Sequence, residues 1–177
     1  TQTERSHGGI LKMLSLPVNT AMLCLAKFTV LVLLSFVQMI MTICAYYVSA
    51  AMVSRIQDYN FILDPLFICG NALAIYAAAI PMAAVFWMIA TLVQTPVFSV
   101  GIGLASIVPS VLIINTKIWF IYPMSYPFYL LMIQYGKAAE GMYDTRIDWL
   151  PWLPAAAFIM ITALAVSCIR FGASERR

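Results

Sequence analysis

Thr20 to Val53 reads TAMLCLAKFTVLVLLSFVQMIMTICAYYVSAAMV, and Lys27 is the single charged side chain in it. As a helix rising ~1.5 Å per residue, the stretch extends on the order of 50 Å, well beyond the roughly 30 Å hydrocarbon core of a bilayer. It reads as a transmembrane helix that must tilt, kink or protrude. Protrusion on the Lys27 side is the economical choice, because the ammonium then reaches the interface on its flexible stem. The rest of the chain fits the same solvent. Hydrophobic residues make up 63% and charged residues 10% of the 177, where a soluble domain carries about 25% charged and under about 50% apolar residues. A small globule leaves much of its surface in water, so no soluble fold of this size hides this much apolar surface. The net charge of +3 leaves no electrostatic footprint for nucleic acid.

Moving toward the C-terminus, Arg55 to Asn60 is a short polar loop, and a second span runs from about Pro65 to Thr91. Gly70, Ala74 and Ala78 recur every four residues, with Ala77, Ala79, Ala83 and Ala84 nearby; small residues at that spacing let helix backbones approach closely. Pro81 bends this helix, and Gln94 to Pro96 forms a turn. A third span, about Val97 to Asn115, contains Gly101, Gly103 and Pro109 and is expected to be irregular. Ile118 to Ile133 is apolar and aromatic but short, and Pro123 and Pro127 break it twice. It reads as a re-entrant hairpin rimmed by the interfacial aromatics Trp119, Tyr122, Tyr126, Tyr129 and Tyr135. Gly136 to Leu150 is a polar loop, and a fourth span runs from about Trp152 to Ile169. The expected fold is all-α: a polytopic transmembrane helical bundle forming one domain over residues 1–177, with about four spans at 20–53, 65–91, 97–115 and 152–169, the hairpin at 118–133 and an amphipathic segment at 1–17.

Four spans put both ends on one side. That side holds Arg5, Lys12, Arg170, Arg176 and Arg177, with Lys27 close by, against Arg55, Lys117, Lys137 and Arg146 on the other. The positive-inside rule then favours cytoplasmic termini, with the hairpin and the 136–150 loop outside.

Catalytic and metal-binding patterns do not appear. His7 is the one histidine and precedes every span. No HExxH, GxSxG, CxxC or Walker-type glycine loop occurs, so the chain is not expected to be an enzyme or to hydrolyse ATP itself, and no cofactor is expected. Cys24, Cys44, Cys69 and Cys168 each lie in an apolar run and read as small buried hydrophobes without a disulfide. Asp64, just before Pro65, reads as a helix N-cap. Glu140, Asp144 and Asp148 lack the dense spacing of an EF-hand loop and read as a solvated loop. Lys27 is either a snorkelling cation or a contact to a partner or substrate, since an intramembrane charge is a functional candidate by default.

The opening segment is the most specific part. Thr3 to Val18 reads TERSHGGILKMLSLPV, and Lys27 follows Ala26. Ile10, Leu11 and Leu14 share one side of a helical turn, and Pro17 closes the segment. This resembles the coupling-helix region of ABC-2-type transporter permeases: an acidic residue, a short helix ending in a leucine-proline step, then a span opening on an Ala/Gly-Lys pair. Glu4, Gly8, Leu14, Leu16, Pro17 and Lys27 match that pattern. The general texture is most similar to the lantibiotic-immunity and bacitracin-resistance type. The resemblance implies a permease subunit in the cell membrane that pairs with a second permease copy or paralogue and with two cytoplasmic ATP-binding subunits. It implies contact with the latter through Glu4, Gly8, Ile10, Leu11, Leu14, Leu16 and Pro17, and an amphiphilic substrate such as a peptide antibiotic or lipid-linked molecule. Such permeases carry two further spans ahead of the coupling helix, so a longer natural chain is expected. A passive channel or secondary transporter is the alternative, suggested by the glycine and proline breaks in the third span, although no span carries the acidic cluster that ion coupling needs. Nothing in the residues excludes a non-transporting scaffold.

Overall fold

The computed structural model describes residues 20–57, 59–93, 95–138 and 149–173. The amphipathic segment, the acidic loop residues 140, 144 and 148 and the last arginines fall outside them. The described residues form an all-α bundle: α1 (Thr20–Gln57), α2 (Pro65–Leu92), α3 (Pro96–Ile113), two single 3-10 turns (Trp119–Ile121 and Pro123–Ser125), α4 (Tyr126–Ala138) and α5 (Trp149–Ala173). Helices α1, α2 and α5 are long and apolar enough to cross a membrane, while α3 is apolar but shorter. At ~1.5 Å per residue α3 spans about 27 Å, close to the hydrocarbon thickness itself.

In lipid every backbone group must be satisfied within the protein, which makes the helix the default. The polar side chains of α1 obey the same constraint. Thr29, Ser35, Thr42 and Ser49 donate back to the carbonyls of Leu25, Val32, Gln38 and Ala45 at 2.8–2.9 Å. Asp64 does cap α2: its carboxylate accepts from the Leu66 N–H at 3.4 Å, and Pro65 takes the first turn, where its missing N–H costs nothing. The expected irregularity of the third span is not found, since α3 runs unbroken through Gly101, Gly103 and Pro109. Gly103 has a packing role instead. A Cβ there would meet the Phe86 ring of α2 at 3.2 Å.

The 118–133 segment is interrupted at Tyr122, whose backbone is extended (φ −102°, ψ 102°) between the two 3-10 turns. Pro123 opens the second turn and Pro127 sits in the first turn of α4, so neither removes a needed donor. Side chains bond to carbonyls in and beside these turns. Ser125 Oγ reaches Trp119 O at 2.9 Å and Tyr122 O at 2.7 Å, Tyr126 OH donates to Phe120 O at 2.7 Å, and Tyr122 OH donates to Ser106 O of α3. Non-helical backbone within a bilayer would need to be satisfied by protein in this way.

Helix directions follow from the contacts. Along α1 and α2, Cys24 meets Trp87, Ser35 meets Tyr76 and Tyr46 meets Phe61, so the two run antiparallel. Ala78 packs with Trp152, and Thr91 meets Ser167 at 3.5 Å, so α2 and α5 run parallel. The start of α1 and the end of α5 therefore lie together, where Cys168 Sγ approaches Ala21 O at 3.8 Å. Its first turns being level with the last turns of α5, α1 extends past the start of α5 toward Gln57.

Two apolar clusters hold the bundle. One joins Cys24, Phe28, Ala84, Trp87, Ala163 and Phe171; the other joins Ala78, Tyr126, Leu130, Trp152 and Ala156. The buried positions of α2 are Ala78, Pro81, Ala84, Trp87 and Thr91, a spacing of three to four that keeps them on one face. The close-packing stripe is thus displaced from the expected Gly70–Ala74–Ala78 series: Gly70 and Ala74 are exposed, and only Ala78 of that series is buried. The cysteine expectation is corrected as well. Cys24 is buried and Cys168 partly so, but Cys44 and Cys69 are on the surface of this chain. In a bilayer that surface faces lipid, where a thiol is as well tolerated as in a core.

Candidate functional site

Lys27 lies at the end of the bundle where α1 begins. Three helix ends build this face: the first two turns of α1, the last turn and a half of α2 and the last turns of α5. Cys24 and Phe28, one helical turn apart, turn toward the interior and meet Trp87 of α2. The Trp87 indole N–H donates to Cys24 Sγ at 3.4 Å, and its ring lies tilted at 53° to Phe28 with centroids 6.3 Å apart. An indole N–H buried in an apolar setting needs an acceptor, and the sulfur supplies one. Behind them Thr91 donates to Met88 O at 2.8 Å and toward Ser167 Oγ at 3.5 Å, so this polar pair between α2 and α5 is internally satisfied.

Lys27 sits at the rim of this cluster, with Nζ 5.5 Å from the centre of the Phe171 ring. That ring is almost fully buried, so its face is fixed by packing. The arrangement is a cation–π contact, worth about 0.5–1 kcal/mol where solvent reaches and more where it does not. Lys27 thus joins α1 to α5 within the chain and holds its charge at the end that also carries Arg170, exposed in the last turn of α5. A cation at a helix C-terminus complements the partial negative charge there.

Of the residues singled out from sequence, Glu4, Gly8, Ile10, Leu11, Leu14, Leu16 and Pro17 lie outside the described residues, and Lys27 alone is placed. Asp64 lies at the opposite end of α2 as a cap. Trp87, Phe171 and the Cys24–Cys168 approach were not singled out. Trp87 carried a weak signal, as an indole inside an alanine-rich helix that needs a partner. Nothing in the chain signalled that Cys24 would meet a residue near the far terminus. Among the described residues no group of three or more His, Cys, Asp or Glu side chains could hold a metal. A shallow hollow along α3, lined by Val97, Phe98, Gly101, Ile102 and Ala105, is open and almost wholly apolar, with no polar group to orient a ligand.

Compared with known proteins, residues 1–110 match the family described as ABC-2 family transporter protein. No curated protein and no solved structure matches the chain.

Proposed function

The chain belongs to the ABC-2 family of transporter proteins, and from that premise we propose that it is the permease subunit of an ATP-driven transporter of an amphiphilic substrate, coupled to its ATPase through the segment before α1. Its membership makes it a multi-pass membrane protein of a transport system rather than an enzyme, and the family implies partnership with ATP-binding subunits. The observation that carries the finer reading is that the match takes in residues 1–19 as well as α1 and α2. The family likeness therefore includes the stretch in which Glu4, Gly8, Leu14, Leu16 and Pro17 fit the coupling pattern. The geometry supports it: the segment leads into α1 where α1, α2 and α5 are tied together, so a push there would reach three helices at once. A second permease copy, cytoplasmic placement of this end, and a peptide antibiotic or lipid-linked molecule as substrate belong to the same proposal. So does the narrower lantibiotic-immunity and bacitracin-resistance type. The alternative of a channel or secondary transporter drew on breaks in the third span, and α3 is continuous, so that support falls away.

The test is a pull-down of the ATP-binding subunit with a Leu11→Asp, Leu14→Asp variant. Burying one leucine stabilises a contact by roughly 1.5–3 kcal/mol, and a carboxylate in an apolar groove costs more again. Since the spans begin after Pro17, the variant is expected at normal abundance in the membrane but without bound ATPase and without transport. Unchanged ATPase retention would falsify the coupling role. Loss of membrane abundance with ATPase still bound would mark the segment as a surface anchor only.

A further inference from the structure

We propose that the face of α1 carrying Ser35, Gln38, Thr42, Ala45 and Ser49 is the surface on which a second copy of this chain docks, with the two Gln38 side chains paired across the twofold axis. The positions are spaced by three, four, three and four residues, the a and d positions of a heptad, and so form one seam along the helix. All are exposed. Ser35, Thr42 and Ser49 turn their hydroxyls back onto carbonyls of α1 at 2.8–2.9 Å, which keeps the seam low. Gln38 differs. Its side-chain amide has no hydrogen-bond partner among the described residues, although it stands midway along an apolar helix. One side of the seam is lined by Leu34, Met41 and Val48, one heptad apart and 65%, 63% and 55% exposed. The other side leans on α2, through Phe36 against Tyr76 and Tyr46 against Phe61.

Helix α5 stops short of most of this seam. Cys168 meets Ala21 where the two helix ends adjoin, and at ~1.5 Å per residue Gln38 and Pro151 both lie about 26 Å from that contact. From Gln38 onward the seam therefore runs past the start of α5, where α2 still accompanies α1. In hydrocarbon an unbonded amide is costly; above it, Leu34, Met41 and Val48 would meet water as an apolar strip. A second copy removes both costs. Two chains inserted the same way around a twofold axis along the membrane normal place identical residues at the same depth. Gln38 then faces Gln38, and because a primary amide both donates and accepts, the pair is self-complementary. The small residues at the other seam positions let the two α1 backbones approach closely, and Leu34, Met41 and Val48 close over the partner helix. The choice of a second copy as occupant rests on the permease reading, in which two permeases pair. The unbonded amide and the exposed seam do not depend on it.

The experiment uses the full chain in native membranes with the four native cysteines replaced and one cysteine introduced. The membranes are oxidised with copper phenanthroline and the linked product is identified by mass spectrometry. Gln38→Cys and Thr42→Cys are expected to give a homodimer, and Leu33→Cys and Ile40→Cys, exposed but set off the seam, to give none. In the otherwise native chain, Gln38→Leu should weaken dimerisation in liposomes, read by energy transfer between labelled copies, about tenfold, the worth of two interhelical hydrogen bonds. Its membrane abundance should not change, because the side chain is exposed. Absence of a homodimer at Gln38 and Thr42, equal cross-linking at all the positions, a product joining the chain to a different protein, or an unchanged dissociation constant would overturn the proposal. So would reaction of unlinked Gln38→Cys with a membrane-impermeant maleimide, which would mark the seam as water-lined. Any of these results with the ATP-binding subunit still retained would strike the docking face and leave the permease reading standing.

Discussion

Tyr76 and Trp87 stand ten residues or so apart on α2 and both touch α1, yet they should matter very unequally. The Tyr76 hydroxyl donates to Val32 O at 2.6 Å and lies 3.3 Å from Ser35 Oγ, while its ring meets Phe36 edge-on at 5.6 Å. Tyr76→Phe keeps the ring and removes only the hydroxyl. Hydrogen bonds between membrane helices average about 0.6 kcal/mol, because the separated helices also find partners, so a small loss of that order is expected. Trp87→Ala removes an entire buried indole from the cluster of Cys24, Phe28 and Phe171, and such truncations cost about 3–5 kcal/mol. Unfolding of both variants in mixed micelles should rank them clearly. Near-equal losses would mean that the hydroxyl, not the apolar cluster, holds α1 to α2. The roles of these residues were unevenly legible. Asp64 before Pro65 announces a cap because both residues act locally. Trp87 against Cys24 could not be read, because it depends on which face of α2 the tertiary contacts choose.

At the scale of elements the decisive contact is between α2 and α5, and it is made by small residues. Ala84 and Ala163 are buried in the same cluster, and Ala78 and Ala156 in the other. Without a hydrophobic drive between helices in lipid, close backbone approach and van der Waals packing supply the adhesion. Ala84→Leu should therefore force the helices apart, at about 1–3 kcal/mol as for other overpacked sites. Gly70→Leu should leave the isolated chain unaffected, because nothing lies within 4 Å of a Cβ at Gly70. Thermal unfolding of the two variants in one detergent separates the stripes, and a comparable loss at Gly70 would show that this position is packed after all. The all-α class with its long apolar helices was readable from apolar run length, since the bilayer sets the length, whereas α4 (Tyr126–Ala138) was not read as a helix of its own. The choice among several alanine stripes was not, because α2 is apolar all round and offers no polar face to mark its outside. The continuity of α3 was missed for a related reason. Glycine and proline lower helix propensity in water, but in lipid the penalty for exposing backbone outweighs that preference.

The whole molecule turns on which side of the membrane carries the clustered helix ends. The start of α1 and the end of α5 adjoin, with Lys27 and Arg170 at that end, while Arg55 and Lys117 lie in the last turn of α1 and just beyond α3. Counting the flanking segments adds Arg5, Lys12, Arg176 and Arg177 to the first side and Lys137 and Arg146 to the second. Translocating a lysine or arginine is what the positive-inside bias penalises, and the count covers short segments close to the spans, where the rule applies. The richer end is accordingly expected in the cytoplasm, the side that the proposed coupling of the opening segment to ATP-binding subunits requires. The helix directions turn this into a paired test, since the 139–148 connection leads into the start of α5 and residues 174–177 follow its end. In a background with the four native cysteines replaced, Thr145→Cys should react with a membrane-impermeant maleimide in intact cells, and Ser174→Cys should react only after lysis. The reverse pattern would invert the orientation and count against the proposed coupling role of the opening segment, which would then lie where no ATP-binding subunit can reach it. Labelling of both positions in intact cells would mean that α5 does not cross the bilayer. Its 22-residue apolar stretch from Leu150 to Phe171 spans about 33 Å, close to one hydrocarbon thickness, and that match is the physical reason to expect a single crossing between the two labels.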